Sequence, residues 1–420
     1  MLETKESVAI VGQGIMGLCS AYYAARRGWA VTVIDRMPVV QNGCSYGNAG
    51  MIVPSHFVPL AAPGMVALGL KWMWNPESPF YIKPRLDVGL MRWAYQFWKA
   101  ATPGHVRRSA PVLRDLNLAS RACYEALSEL PEMEFGLVRK GLLMLCRTGH
   151  ALEEEGRAAA QAVALGVPAE VLDSKQVAAL DPGVRMEVAG GVYFPKDCHL
   201  SPNRLMAALQ GACRAMGVKF MGETEVTGWR REGKRLAAVE TSRGEVRAAQ
   251  FVLAGGSWSP QAVEPLGLKL PMQAGKGYSL TLEQPRQLPE ICSILTEARV
   301  AVTPMGTRLR VGGTMELAGL RQAVNARRVR GIAKSVPQYF PEFRVEDFAG
   351  IEPWVGLRPC PPDGLPYLGR SGAAANLVVA TGHSMMGLSL GPVTGRIVSQ
   401  LLAGEETGHD LRGLSPDRYA

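Results

Sequence analysis

Three glycines are spaced as Gly12-x-Gly14-x-x-Gly17, and an acid, Asp35, follows the last of them by 18 residues. That spacing suits a backbone that must wrap a pyrophosphate. Gly12 permits a tight turn, Gly14 lets the main chain approach the phosphates, and Gly17 lets a helix lie close to a sheet. Ile15 and Met16 fall inside that glycine turn, just ahead of a helix whose N-terminal N–H groups face the anion. Asp35 would take the ribose hydroxyls and repel a 2′-phosphate. The ligand these residues predict is a dinucleotide.

A dinucleotide pocket alone does not separate NAD from FAD. A flavin ring must also be held by other parts of the chain, with a donor or positive dipole at its pyrimidine edge. Three later segments carry suitable residues. Residues 43–51 read Gly43-Cys44-Ser45-Tyr46-Gly47-Asn48-Ala49-Gly50-Met51. Side chains this small let a backbone pass beside a flat ligand, and Ser45 and Asn48 offer hydrogen bonds. Residues 381–390 read Thr381-Gly382-His383-Ser384-Met385-Met386-Gly387-Leu388-Ser389-Leu390, a loop that can present successive N–H groups to the ring. Residues 354–364 hold Arg358 in a turn stiffened by Gly356, Pro359, Pro361 and Pro362. A guanidinium so placed is a fork for a carboxylate, through charge-assisted bonds about twice as strong as neutral ones. No catalytic triad or metal cluster is signalled.

Those residues need elements to carry them. Residues 8–11 read as a buried strand, 18–27 as a helix stopped by Gly28, and 30–35 as a second strand. Helices are expected at 110–130, 150–165 and 200–216. Short strands are expected at 218–221, 225–230, 235–241, 245–249 and 251–254. Residues 270–315 alternate apolar and polar residues as an antiparallel sheet does. Residues 376–381 read as a buried strand, and 391–402 as a helix. The expected fold is therefore α/β and α+β. A Rossmann-like nucleotide domain is assembled from residues 1–55, 190–260 and 350–420, with a substrate domain from 56–189 and 261–349 that contains an antiparallel sheet.

Composition narrows the function classes. The 420 residues are 47% hydrophobic and 20% charged, an ordinary globular balance. The net charge of +9 is spread at about one excess charge per ~1,800 Å² of surface. It suits anionic small molecules or a bilayer surface, and no nucleic-acid partner is expected. The basic run of Arg321, Arg327, Arg328, Arg330 and Lys334 reads as a solvated helix face. The eight cysteines include no C-x-x-C pair, so neither a zinc site nor a disulfide framework is signalled, and a reducing, cytoplasmic location is expected. No uninterrupted apolar stretch is long enough to span a membrane. Residues 56–101 are broken by prolines, including Pro76, and hold Trp72, Trp74, Trp93 and Trp98, four of the eight tryptophans. They read either as core and pocket wall or as a peripheral contact with the inner face of a membrane.

In combination and in this order, these segments resemble the FAD-dependent amine and amino-acid oxidoreductases of the D-amino-acid oxidase, glycine oxidase and sarcosine oxidase type. They are most similar to the D-amino acid dehydrogenases. The resemblance also rests on Leu253-Ala254-Gly255-Gly256-Ser257-Trp258-Ser259, Lys276-Gly277-Tyr278-Ser279, Arg310-Val311-Gly312-Gly313-Thr314-Met315-Glu316 and Gly356-Leu357-Arg358-Pro359. It implies FAD as cofactor, a small amino acid as substrate, and a quinone or dye as electron acceptor. Hydride would pass from the substrate α carbon to flavin N5, and the imino acid would hydrolyse to a 2-oxo acid and ammonia. It implies that Arg358 binds the substrate carboxylate with help from Tyr278. Gly382, His383, Met386, Gly387, Leu388 and Ser389 would wrap the flavin ring. Val226 would touch the adenosine end, and Arg36, Gly255 and Trp258 would stand at matching cofactor positions. Cys44 and Gly47 replace the Thr and Ala frequent in the dehydrogenases, so no hydroxyl contact is expected from position 44. Alternatives within the family are an oxygen-using glycine or sarcosine oxidase and a proline or hydroxyproline dehydrogenase. Outside it are an NAD-dependent dehydrogenase and a flavoprotein acting on nucleic acid.

Overall fold

The computed structural model describes residues 6–39, 43–73, 75 and 77–420. Trp74 and Pro76 lie outside the described residues. The strand Ser7–Val11, the helix Ile15–Arg26 and the strand Ala30–Ile34 form a parallel β-α-β unit, with Val8 beside Val31 and Ile10 beside Val33. Gly28 adopts a positive φ of 87° and ends the helix. Strands that are distant in sequence complete this sheet. Its order is Tyr367–Arg370, Leu377–Thr381, Gln250–Leu253, Ser7–Val11, Ala30–Ile34 and Lys219–Met221. All neighbours are parallel except the first pair. Its central strands are largely apolar and buried, with residues 8–11, 251–253 and 377–380, Val33 and Ile34 in the core, as a sheet covered on both faces requires.

The helix Gly387–Leu402 crosses Ile15–Arg26 at very short range, and two glycines make that approach possible. A Cβ on Gly391 would stand 2.6 Å from Ile15 Cγ1, and one on Gly395 would stand 2.5 Å from the Cys19 carbonyl carbon. The two helix N-termini are thereby brought side by side on the ligand-facing edge of the sheet.

A second sheet has nine strands. Its order is Trp354–Cys360, Gln273–Leu282, Arg308–Leu317, Val300–Met305, Cys292–Leu295, Leu142–Cys146, Gly190–Phe194 and Glu170–Asp173, and Phe80–Ile82 also pairs with Arg308–Leu317. The antiparallel sheet expected within 270–315 is its centre. The sheets divide the chain at other places than the expected boundaries: Gly190–Phe194 and Trp354–Cys360 both belong to this second sheet. An apolar β run reveals its period but not its partner, and both strands pair with residues far away in sequence. The basic run also differs from its reading as a solvated face. On the helix Ala326–Ser335, Arg328 is buried and donates to the Asn75 and Ser78 carbonyls.

Candidate active site

The glycine turn is built as its spacing requires. Gly12 has φ 107°, and a Cβ there would lie 2.4 Å from the Ala254 carbonyl oxygen. A Cβ on Gly17 would lie 1.8 Å from the Gly12 carbonyl oxygen. Gly14 is different: the nearest atom to its imagined Cβ is Ser45 Oγ, at 3.6 Å. Space is therefore left open at the N-terminus of Ile15–Arg26, where the N-cap residue Gly14 has no side chain of its own. Met16 is buried just beyond. Asp35 follows the second strand and accepts from the Gln13 N–H at 2.8 Å and the Met37 N–H at 2.9 Å. It thus fixes the glycine turn while its partly exposed carboxylate keeps lone pairs for a ligand. The Arg36 guanidinium stacks on the Trp258 ring at 3.8 Å, next to Gly255 and Gly256. Val226 opens the strand Val226–Glu232 and packs partly buried beside the cluster holding Ile34 and Phe251.

The loop after this unit is anchored from three sides. Ser45 Oγ accepts from the Ile15 N–H at 3.1 Å, and Asn48 Oδ1 closes a turn on the Gly50 N–H at 2.9 Å. Gly50, at φ 80°, has no room for a Cβ, which would stand 2.3 Å from the Leu200 carbonyl oxygen. Met51 pairs with His199 in a short two-stranded ladder, and Ala49 is half-buried. From the second sheet, Arg310 donates to the Tyr46 carbonyl at 3.3 Å and the Asn48 carbonyl at 3.0 Å, and Ser279 donates to the Gly47 carbonyl at 2.9 Å. Gly47 lies flat under Trp354, whose ring would meet a Cβ at 1.8 Å. Cys44 Sγ stands 3.0 Å from where a Gly356 Cβ would be. Burial pushes its thiol pKa up, with a smaller opposing pull from Arg358. A neutral thiol beside the guanidinium is the result.

The C-terminal loop places a second helix N-terminus opposite. Gly382 turns at φ 77°, Ser384 sits at φ 50°, and Gly387–Leu402 begins with no side-chain cap. The imagined Cβ of Gly387 meets nothing closer than His383 Cβ at 3.8 Å and Met16 Cε at 3.9 Å. His383 is buried, its Nε2 shares a hydrogen bond with Thr394 Oγ1 at 3.1 Å, and its Nδ1 has no partner. Burial pulls its pKa down to about 3, so the ring is neutral. Met386 is half-buried at the loop tip. Leu388 and Ser389 are turned into the core: the Leu388 carbonyl accepts from Tyr124 at 2.6 Å, and Ser389 Oγ bridges Asn117 and the Val53 N–H.

Arg358 lies on Trp354–Cys360, whose register with Gln273–Leu282 pairs it with Gly275. Strand alternation places Gly275, Gly277, Ser279, Trp354 and Arg358 on one sheet face. The two glycines leave room for the guanidinium: a Cβ on Gly277 would stand 2.2 Å from Arg358 Nη1. Arg358 donates to the Thr314 carbonyl at 2.6 Å and has no carboxylate partner among the described residues. A half-buried cation without an anion is a place for one to bind. The same alternation puts Tyr278 on the opposite face. Its hydroxyl donates to Glu316 Oε2 at 3.1 Å and accepts from the Asn325 N–H at 3.1 Å, within a buried network that includes Lys276. The structure does not bring Tyr278 together with Arg358.

Sequence reading missed Gln13, whose N–H ties Asp35 to the turn, and Trp354, whose buried Nε1 has no partner. It also left Arg310 without a role. Besides its place in the run that carries the family resemblance, Arg310 is signalled by its position in a β run, where a charged residue at a buried position calls for a partner.

These elements define a dinucleotide-binding oxidoreductase, and comparison with known proteins gives the family. A family model for FAD dependent oxidoreductases (DAO) matches residues 7–401, and the chain belongs to that family. It is 34% identical over 422 residues to the D-amino acid dehydrogenase of Bradyrhizobium diazoefficiens, covering 98% of this chain and 99% of that one. It is 34% identical over 423 residues to the D-amino acid dehydrogenase of Agrobacterium fabrum, covering 99% and 100%. The structure superposes on glycine oxidase from Geobacillus kaustophilus with a TM-score of 0.78 at 25% identity, over 99% of this chain and 100% of that one. The cofactor is FAD, and the residues present fit it. Two helix N-termini stand together, the space before Gly14 and Gly387 is open, and the buried His383 Nδ1 lacks a partner among the described residues.

Proposed function

We propose that this protein oxidatively deaminates D-amino acids to 2-oxo acids and ammonia and passes the electrons to a quinone-type acceptor. The observation that carries the reading is Arg358. Its guanidinium is half-buried over Gly277, lacks an acidic partner and shares a sheet face with Trp354, which packs over the Gly43–Gly50 loop. Full-length likeness to D-amino acid dehydrogenases supports the substrate class.

Each group then has a task. Gly12, Gly14, Ile15, Met16 and Gly17 would hold the pyrophosphate. Asp35 would hold the ribose, and Val226, Arg36, Gly255 and Trp258 would line the adenosine end. Cys44, Ser45, Asn48, Ala49, Gly50 and Met51 on one side, and Gly382, His383, Met386, Gly387, Leu388 and Ser389 on the other, would enclose the ring. Ser45, Leu388 and Ser389 act through main-chain position, because their side chains or carbonyls already have partners. When bound, FAD supplies the hydride acceptor. Arg358 fixes the substrate carboxylate, and with it which α-carbon substituent faces the cofactor. Trp354 and Tyr46, their rings 5.4 Å apart, shield that face from water. Positioning and a dry site account for the chemistry without a dedicated acid or base.

Arg358→Met tests this reading. Carboxylate-ligand affinity should fall by about 2–5 kcal/mol, the usual cost of truncating a buried charge partner, while the flavin is retained. Tyr278→Phe should leave that affinity unchanged. Equal losses in both variants would reject the assignment of the clamp.

A further inference from the structure

One edge of the strand Arg308–Leu317 is shared by two neighbours that do not meet. Val300–Met305 pairs with it as far as Gly313, and Phe80–Ile82 takes over at Met315. Thr314 stands in the gap with φ 73°, a conformation that a β-branched residue rarely adopts. A cavity of about 310 Å³ opens there, within the usual size range of small-molecule sites. Its walls include Trp72, Ser78 and Pro79 ahead of one strand, Ala298 and Val300 at the start of the other, and Ile332 on the helix Ala326–Ser335. Among the described residues that line it, none is assigned above to the flavin or to the substrate carboxylate. Thr314 links the two places, since its carbonyl accepts from Arg358 at 2.6 Å.

Arg328 supplies the binding group in this cavity. It is only 3% exposed. Nη1 makes all three of its hydrogen bonds, to the carbonyls of Asn75 and Ser78 and to Ser78 Oγ, and the guanidinium lies over the Tyr81 ring at 4.7 Å. Nε and Nη2 have no partner among the described residues. These two atoms form one edge of the guanidinium, and that edge matches the two oxygens of a carboxylate. Glu316 pairs with Lys276 and Glu77 with Lys334, so neither serves Arg328. A buried donor pair without an acceptor calls for a ligand.

Charge sets the class of that ligand. Glu297, the other acid in the wall, already accepts from the Arg147 and Thr148 N–H groups, from Thr148 Oγ1 and from the Tyr339 hydroxyl. Three cations, Arg147, Arg328 and Lys334, thus stand against two acids, Glu77 and Glu297. The excess of one positive charge suits a monoanion, and a phosphate dianion would overshoot it. Trp72, Pro79, Val300 and Ile332 offer an apolar wall to the rest of the molecule.

We propose that this cavity is a second carboxylate site, separate from the Arg358 clamp, that takes a small organic monoanion with an apolar tail through Arg328. Aliphatic 2-oxo acids fit that description. A ligand there bears on Thr314, and so on the carbonyl that holds Arg358. The inference rests on the cavity alone, whichever amino acid is oxidised.

The test is calorimetric titration of the flavin-loaded full chain with 4-methyl-2-oxopentanoate, in the Arg358→Met background so that the clamp contributes nothing. One equivalent should bind. Arg328→Gln should weaken binding by at least about tenfold, as loss of a charge-assisted bond does. Arg328 also holds the Asn75 and Ser78 carbonyls, so Ala298→Trp serves as a second variant. It fills the cavity, leaves those bonds in place and should abolish binding. The amide of the same acid, which keeps the tail and lacks the charge, should bind at least about tenfold more weakly. Flavin absorbance and melting temperature check that each variant is folded. Three results would overturn the proposal: no binding to the Arg358→Met protein, undiminished binding to the folded Ala298→Trp protein, or equal affinity for the amide.

Discussion

Arg310 gives the most discriminating prediction, because its effects on stability and on cofactor binding should separate. Its guanidinium is almost fully buried, has no directly paired acid among the described residues, and makes bonds to Thr281 Oγ1 and to the carbonyls of Tyr46 and Asn48. Charge-assisted hydrogen bonds contribute about 1.5–3 kcal/mol each, so the two on the loop carbonyls are worth about 3–6 kcal/mol. Against that, burial pulls the arginine pKa down to about 10, a penalty on the charged form of about 3 kcal/mol. Arg310→Met removes both, leaving a net stability loss of only about 0–3 kcal/mol. The loop that carries Ser45 and Asn48 nevertheless loses its anchor from the second sheet. Titration of the apoprotein with FAD, followed by flavin fluorescence, should show affinity weakened by about 10- to 100-fold, corresponding to one or two loop contacts. The melting temperature of the apoprotein should move by only a few degrees. Unchanged FAD affinity in Arg310→Met would refute the anchoring argument. A collapse of apoprotein stability would show that Arg310 holds the fold rather than the loop.

Two further outcomes follow from the same geometry. Gly14→Val places its side chain in the open space before the helix N-terminus, where only Ser45 Oγ is near. The apoprotein should fold with a cost of about 1 kcal/mol yet purify colourless, as an absorbance spectrum will show. His383 should make the apoprotein acid-sensitive. Its folded pKa of about 3 lies below the ordinary 6.5, so its contribution is full above pH 6.5 and is lost as pH falls, by about 1.4 kcal/mol at one pH unit lower. Urea unfolding at neutral pH and at mildly acid pH should therefore show a smaller difference in His383→Gln than in the wild type.

The parts of the site that were legible in sequence are those built within one local unit. Gly12, Gly14, Gly17 and Asp35 lie in a single β-α-β segment, and their spacing implies the turn, the helix and the acid together. Gly382 and the helix after it are readable for the same reason. What was not legible depends on strand register. That Gly47 lies under Trp354, or that Arg310 reaches the Tyr46 carbonyl, joins residues some 260–310 apart. Tyr278 illustrates the limit. Its neighbourhood resembles the family's, but its side follows from the pairing of Gly275 with Arg358, and a one-residue change of register would reverse it. The expected domain boundaries differ for the same reason, since Gly190–Phe194 and Trp354–Cys360 take partners that no local pattern names.

The central claim is that Arg358 holds the carboxylate of a D-amino acid against the flavin. Anaerobic mixing of the flavin-loaded protein with D-alanine or L-alanine, followed by the loss of visible flavin absorbance, tests it most directly. The D enantiomer should bleach the wild type and the L enantiomer should not. Arg358→Met should require about 30-fold or more D-alanine for the same bleaching. Bleaching by L-alanine in preference to D-alanine, or an unchanged dependence on D-alanine in Arg358→Met, would contradict the account.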